Sequence, residues 1–285
     1  RRFRREAEAL GRLQHAGIAQ IFEAGAASID GARVAYIAME RVDGLALTHH
    51  ARKRGLSTNE RLSLLARVAD ACHHAHQRGI IHRDLKPANV LIALETEDEG
   101  TKSRVLVKLA DFGVSTLLAG QEDTTTEEGR PPEAQRRARR PPDEEVDPHD
   151  PTPSFDELAE GDTMTALGRP EGAEHYSVEG PLTQTGILVG TPMYMAPELS
   201  EGSHLARPPS DIFSLGVIAY ELYTGEMPFS RPAVWARWRG TEIAAPSLAV
   251  KRPDLAKELV ALIDSCLQLD PSLRPSAEAV AAALR

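Results

Sequence analysis

The stretch "IIHRDLKPANVLI" at residues 80–92, followed by "VKLADFGVS" at residues 107–115, decides how this chain of 285 residues folds. The first part places a carboxylate, Asp84, five residues before an amide, Asn89. The second part carries another carboxylate, Asp111, at the end of a short apolar run. Short apolar runs separated by polar turns are typical of β-strands. The sequence therefore predicts two short strands with these oxygen-bearing side chains beside them.

These side chains are of the kinds that phosphoryl transfer requires of a protein. One carboxylate must orient an attacking hydroxyl and accept its proton, and hard oxygen ligands must hold Mg²⁺ against the phosphates. Asp84 suits the first task, and Asn89 together with Asp111 suits the second. Lys86 would place an ammonium on the transferring phosphate as its charge builds.

Three further motifs follow in order: "GTPMYMAPE" at 190–198, "SDIFSLGVIAYELYTGEMPF" at 210–229 and "DPSLRPS" at 270–276. Together with the first two motifs, they resemble the signature set of the eukaryotic-type serine/threonine protein kinases that also occur in bacteria. The resemblance covers nearly the whole chain outside one insertion. It implies an α+β, protein-kinase-like two-lobe fold that transfers the ATP γ-phosphate to Ser/Thr hydroxyls of proteins.

The resemblance also assigns the catalytic roles. Asp84 would be the catalytic base and Lys86 would contact the γ-phosphate, while Asn89 and Asp111 would be the magnesium ligands. Thr191 would hydrogen-bond near Asp84 and Lys86. ATP and Mg²⁺ are then the expected cofactors and Ser/Thr-containing proteins the expected substrates. The basic residues outside the insertion are scattered, which predicts no nucleic-acid partner.

Four other residues have structural roles under the same resemblance. Glu198 would pair with Arg274 in a buried tie. Asp211 would anchor the backbone of the catalytic loop, and His82 would organise that loop. None of the four is expected to react with substrate.

The stretch "MERVDG" at 39–44 resembles the hinge between the two lobes. Met39 would be the gatekeeper side chain, the backbone of Glu40 and Val42 would meet the adenine edge, and Asp43 would reach the ribose. Taken alone, the same letters also fit the end of a strand followed by an Asp-Gly turn. The neighbouring catalytic-loop motif favours the hinge.

Regulation is predicted from Arg83, which precedes the catalytic Asp84. An arginine in that position can be satisfied by a phosphothreonine dianion in the activation segment. Thr183 and Thr185 resemble the autophosphorylation pair of bacterial receptor-type kinases, and trans-autophosphorylation implies a homodimer. The alternative is two solvated threonines in a loop.

An acidic, proline-rich insertion is predicted at 119–181. It holds 17 acidic and 6 basic residues and 9 of the 20 prolines, with few large apolar side chains. Such a composition cannot bury enough surface to offset its ordering entropy, so we expect a disordered insertion in the activation segment. A regulatory tether, a docking arm and inert filler all stay open as roles, with inert filler preferred. The remaining chain divides into a partial small β lobe at 1–39, made of a regulatory helix and a β-hairpin, a hinge at 40–44 and a mostly helical catalytic lobe at 45–285. Within that lobe, "TNERLSLLARVADACHHAHQRG" at 58–79 predicts a helix that ends on Gly79, and "DIFSLGVIAYELYTG" at 211–225 predicts a buried helix.

The first residues resemble the regulatory helix of the small lobe, in which Glu6 would pair with a lysine on the third strand. No Gly-rich phosphate loop precedes Arg1, and the first lysine, Lys53, lies beyond the hinge. The small lobe is therefore expected to be cut short, as in a fragment of an active kinase with weak activity of its own. The alternative is a non-catalytic, pseudokinase-like binding module, but Asp84 and Asp111 have little reason to persist in one.

Composition also bears on compartment and metals. Two cysteines are too few for a disulfide framework, so a reducing cytoplasm is expected, with any membrane anchor outside this chain. The cluster "CHHAH" at 72–76 invites a metal-site interpretation. Only His73 and His76 have helical i, i+3 spacing, and a structural zinc site needs four ligands. A metal there is the less favoured interpretation.

Overall fold

Two small sheets and seven α-helices make up the part of the chain that the structure describes. The computed structural model describes residues 11, 13–29, 32–96, 103–112, 192–241 and 243–285. The strands are β1 (Ile21–Ile29), β2 (Ala32–Met39), β3 (Leu45–Ala46), β4 (Val90–Thr96) and β5 (Ser103–Leu109). The helices are α1 (Leu47–Arg54), α2 (Thr58–His76), α3 (Pro208–Thr224), α4 (Ala233–Trp238), α5 (Leu248–Lys251), α6 (Lys257–Cys266) and α7 (Ala277–Ala283).

The hairpin predicted ahead of the hinge is present. Strands β1 and β2 pair antiparallel, from Ile21 opposite Met39 to Ile29 opposite Ala32. Ile21 is buried, and Met39 packs against the same core from its partly buried position. The hairpin therefore delivers the chain to residue 40 with its last strand residue already fixed in the core.

The second sheet has the order β3-β4-β5, with antiparallel neighbours, and confirms the two strands predicted from the opening stretch. The residues before β1 join its edge, because the amide of Leu109 donates to the Gly17 carbonyl and the amide of Ala19 donates to the Leu109 carbonyl, both at 2.8 Å. At the far end of the predicted hinge, a Cβ on Gly44 would come within 2.8 Å of the Ile92 carbonyl oxygen. Only glycine allows this close approach to β4.

Helix α2 begins with a capping box, in which the Ser57 hydroxyl accepts from the Glu60 amide and the Glu60 carboxylate accepts from the Ser57 amide. It ends at His76, earlier than the sequence suggested, and Gly79 follows in a left-handed conformation at φ 71°. The intervening residues close the end through turns, since the amide of Gly79 donates to the His76 carbonyl at 3.0 Å. Gly79 thus ends the turn and not the helix itself.

Helix α3 is buried along almost its whole length. Pro208 and Pro209 open it, where their missing amide hydrogens leave no intrahelical bond unmade. Its Gly216 packs so close to α6 that a Cβ there would meet the Cβ of Cys266 at 2.8 Å. Within the described residues, no helix combines the length and the apolar character that crossing a bilayer demands.

The buried tie predicted between Glu198 and Arg274 is present. The Arg274 guanidinium donates from two nitrogens to the two Glu198 carboxylate oxygens, at 2.8 and 2.9 Å. It also donates to the carbonyls of Gln268 and Pro209 and lies 4.9 Å from the centre of the Phe213 ring. Because the arginine side chain is 0% exposed and fully bonded, it joins the segment after residue 191 to α3 and to the turn before α7.

We predict that Arg274→Met destabilises the fold by about 3–5 kcal/mol, because it leaves the Glu198 carboxylate without its buried partner. The matched control is Lys251→Met, which breaks the exposed pair between Lys251 and Glu226 at 2.7 Å and should change stability little, because water screens it. Urea unfolding followed by circular dichroism gives both free energies of unfolding. Equal losses in the two variants would contradict the structural role of Arg274.

Candidate active site

A buried carboxylate on α3 fixes the loop that carries the candidate catalytic residues. Asp211 is 1% exposed and accepts the backbone amides of His82 at 2.8 Å and Arg83 at 2.9 Å. Its Oδ2 also lies 2.8 Å from His76 Nε2. Burial alone would raise the pKa of the Asp211 carboxyl, but the hydrogen bond and the charge of His76 and the His82 amide outweigh it, so the pKa is lowered. The predicted anchoring role of Asp211 is what the geometry shows.

Two residues of the candidate site have backbones in the left-handed region. Arg83 has φ 68° and Asp111 has φ 59°, and neither is glycine. Such conformations cost of order 1–3 kcal/mol each and persist only where the surroundings impose them. Asp211 holds the amide of Arg83, and the amide of Ala110, next to Asp111, donates to the Asn89 carbonyl at 2.9 Å. The strain therefore lies on both segments that carry the candidate reactive groups.

The side chains of Asp84, Lys86 and Asn89 form one connected group. Lys86 Nζ lies 3.0 Å from Asp84 Oδ2, and Asn89 Nδ2 donates to the Asp84 carbonyl at 2.8 Å and to its Oδ2 at 3.2 Å. The short turn Pro87–Asn89 brings the amide back to the start of the loop. The structure therefore brings Lys86 and Asn89, two of the predicted residues, to a third, Asp84.

Asn89 and Asp111 fit the predicted role of magnesium ligands. Because Nδ2 of Asn89 faces Asp84, its Oδ1 is the atom left to act as a ligand. Asp111 is exposed, and the bond from Ala110 to Asn89 sets the two chain segments side by side. Carboxylate and amide oxygens are the donors that Mg²⁺ prefers.

The predicted hinge is partly occupied by its own hydrogen bonds. The amide of Glu40 donates to the Gln20 carbonyl at 2.7 Å, so of the Glu40 backbone only the carbonyl is left for a ligand. Within the described residues, neither that carbonyl nor the Val42 amide has a hydrogen-bond partner. Asp43 is exposed and Met39 is partly buried in the core.

Two of the histidines that the sequence singled out have clear surroundings. The backbone amide of His82 ties the loop to Asp211, whereas both nitrogens of its ring are buried without a partner among the described residues, and the ring packs on Phe112 with centroids 4.4 Å apart. Burial lowers the pKa of His82, which favours a neutral ring. His76, which could have been half of a metal pair with His73, binds Asp211 instead. Among the described residues, no group of three His, Cys, Asp or Glu side chains is arranged to hold a metal.

A family model described as "Protein kinase domain" matches residues 1–144 and 175–283. The chain belongs to the protein kinase domain family. The resemblance noted in the sequence is thereby confirmed, and so is the α+β kinase fold, with few strands in its small lobe.

The kinase chain is 30% identical over 289 residues to the serine/threonine-protein kinase PknA of Mycobacterium tuberculosis, with 99% of this chain and 50% of that protein covered. It is 31% identical over 236 residues to the probable serine/threonine-protein kinase PknB of Corynebacterium glutamicum, with 82% of this chain and 26% of that protein covered. A solved kinase domain of M. tuberculosis PknI matches with a TM-score of 0.57 and 26% identity, covering 99% of this chain and 77% of that one. The chain thus spans half or less of the length of these curated relatives.

Four predicted kinase residues lie outside the described part of the chain. They are Glu6 of the regulatory helix, the phosphorylation candidates Thr183 and Thr185, and Thr191. The insertion at 119–181 also lies outside it, and the proposed lobe boundaries stay predictions.

Sequence reasoning missed two contacts around the kinase site. Tyr194 donates to the Glu221 carboxylate at 2.7 Å, and burial raises the pKa of Glu221. A glutamate inside an apolar helix was the available signal. Lys108 Nζ lies 2.9 Å from Glu40 Oε2, a pairing across 68 residues that no local pattern predicts.

We predict that Asp211→Asn destabilises the kinase fold by about 2–3 kcal/mol at neutral pH, because it weakens two charge-assisted bonds to buried amides. The folded-state pKa of Asp211 is lowered. Its stabilising effect is therefore complete above the ordinary carboxyl range near about 4, and is lost as pH falls through the folded pKa.

Chemical unfolding of both proteins between about pH 3 and 7 should show a difference in free energy of unfolding that is constant above about pH 4 and narrows as the pH falls further. Asp254→Asn, at an exposed residue paired with Arg252, should leave stability nearly unchanged. A gap of constant size down to the lowest pH would rule out the carboxylate as its source.

Proposed function

We propose that this chain transfers the γ-phosphate of ATP to Ser or Thr hydroxyls of proteins. The observation that carries the proposal is the position of the Asp84 carboxylate. It contacts Lys86 and Asn89, and it lies in a loop whose His82 amide donates a hydrogen bond to Asp211. Phosphoryl transfer asks the protein mainly for position and charge stabilisation, and this group supplies both.

Asp84 would orient the substrate hydroxyl and accept its proton at Oδ1 or Oδ2. Lys86, whose ammonium already lies beside that carboxylate at 3.0 Å, would turn to the transferring phosphoryl oxygens as their charge builds. Asn89 would keep the carboxylate in one orientation through Nδ2. A base held in this way is within reach of a hydroxyl without having to reorganise.

ATP and Mg²⁺ are the proposed cofactors. Asn89 Oδ1 and Asp111 would hold Mg²⁺, which supplies charge neutralisation on the phosphates when bound. The Glu40 carbonyl and the Val42 amide would meet the adenine edge. Met39 would be the gatekeeper side chain beside the adenine, and Asp43 would reach the ribose. Glu6 would act from the regulatory helix.

The proposed regulation rests on Arg83, whose Nε is buried without a partner among the described residues. A phosphate on Thr183 or Thr185 would supply that partner, and phosphorylation in trans would use a homodimer. Thr191 is the proposed contact of Asp84 and Lys86. The cytoplasmic location belongs to the same proposal, and any membrane anchor would lie outside this chain.

We expect Asp84→Asn to lower phosphate transfer about 10²–10⁴-fold, because the amide cannot accept the hydroxyl proton. The measurement is transfer of labelled γ-phosphate from ATP to a mixed Ser/Thr-containing protein substrate by the 285-residue chain. Asp254→Asn is the control and should transfer at the parent rate, because its side chain is exposed and, among the described residues, pairs with Arg252 alone.

An unchanged rate in Asp84→Asn would refute Asp84 as the base. If the parent chain bound ATP with Mg²⁺ but transferred no phosphate, the non-catalytic binding module would replace the kinase proposal.

A further inference from the structure

An ion pair links the predicted hinge to the strand that leads into Asp111. Glu40 Oε2 lies 2.9 Å from Lys108 Nζ and also accepts the Gln20 amide at 3.0 Å. The Glu40 amide in turn donates to the Gln20 carbonyl. Glu40 therefore holds Gln20 at both backbone groups and Lys108 at its ammonium, so that three chain segments meet at one carboxylate.

Three consecutive residues before Asp111 each bind a different segment. Lys108 binds Glu40 at the end of β2. Leu109 exchanges backbone bonds with the residues that precede β1, and Ala110 donates to the Asn89 carbonyl in the catalytic loop. Leu109 and Ala110 use backbone groups for this purpose. Lys108 is the one of the three whose tie depends on its side chain, so it can be removed without breaking the strand.

The ion pair between Lys108 and Glu40 is partly buried from water. The Lys108 side chain is 15% exposed and that of Glu40 is 31% exposed. Burial alone would raise the pKa of Glu40, but the Gln20 amide and the Lys108 ammonium outweigh it and lower the pKa. The carboxylate thus stays ionised at neutral pH, and the attraction is screened less than in a fully exposed pair.

We propose that Lys108 and Glu40 are positioning residues, which set the register between the hinge segment 39–44 and the metal-binding Asp111. The inference rests on the proposed function, since it assumes that adenine lies on the hinge and Mg²⁺ on Asp111. Neither the Lys108 side chain nor the Glu40 side chain is proposed to touch the nucleotide. Their effect is on the spacing of the two ends of its site.

A spacing role predicts unequal effects on ligands of different length. ATP with Mg²⁺ would engage both the hinge and Asp111, and its affinity depends on the effective concentration of the second contact once the first is made. Adenosine would engage the hinge alone. Loosening the register therefore weakens the long ligand and leaves the short one unchanged, whereas general destabilisation does not distinguish them.

The variant that tests this is Lys108→Met, which keeps the length of the side chain and removes its charge. Isothermal titration of the 285-residue chain should show binding of ATP with Mg²⁺ about fivefold weaker, with adenosine binding unchanged. Lys108→Arg should restore ATP binding, because a guanidinium can reach the same carboxylate. In phosphate-transfer assays, the KM for ATP should rise more than kcat falls.

Arg67→Met is the matched control, because Arg67 on α2 donates to the Val105 carbonyl of the same strand at 2.7 Å without contacting Glu40. It should leave the ratio of ATP to adenosine affinity at the parent value. A parent-like ratio in Lys108→Met, or an equal shift in the control, would overturn the positioning role while leaving the kinase proposal intact. A parent chain that binds neither ligand would overturn the proposed function and this inference together.

Discussion

The carboxylate of Asp211 is the constraint on which the candidate site depends. It reaches across 129 residues of sequence to the amide of His82 and across 128 to that of Arg83. Those two amides immediately precede Asp84, and the second of them belongs to a residue with a strained backbone. A buried anion that neutralises two amide dipoles makes the unfavourable conformation the stable one. Helix α3 thus determines where the catalytic loop lies.

Hydrogen bonds also fix the segment that precedes helix α3. Arg274 joins Glu198 to the last turns of the chain, and Tyr194 joins the same segment to Glu221 on α3. The described residues on both sides of segment 113–191 therefore contact buried groups. Phe112 packs on His82, and Tyr194 donates a hydrogen bond to Glu221 on helix α3.

The sequence predicted those parts of the fold that depend on local patterns. Alternating short apolar runs predicted the hairpin, and short apolar runs separated by polar turns predicted β4 and β5. A longer apolar run predicted helix α3. The family motifs predicted the pairing of Glu198 with Arg274. The end of α2 was placed late, because glycine marks where a turn closes and the helix can stop a few residues before. The sequence does not show where the ring of His82 lies, because its burial against Phe112 depends on the tertiary fold.

The pair of Lys108 and Glu40 could not be predicted in this way. Both residues look like ordinary charges at strand ends, and only the tertiary fold brings the residue after β2 to within 2.9 Å of Lys108. Long-range electrostatic contacts of this kind depend on tertiary geometry that neither periodicity nor composition encodes.

The hydrogen bond from the Glu40 amide to Gln20 also has a consequence for which base can lie on the hinge. With the amide already committed, position 40 offers a ligand an acceptor and no donor. The exocyclic amino group of adenine would complement that carbonyl, whereas the keto oxygen of guanine at the same place would set two acceptors against each other. An unpaired acceptor shielded from water costs about 1–3 kcal/mol, so a nucleotide lying on the proposed hinge site would be favoured with adenine over guanine.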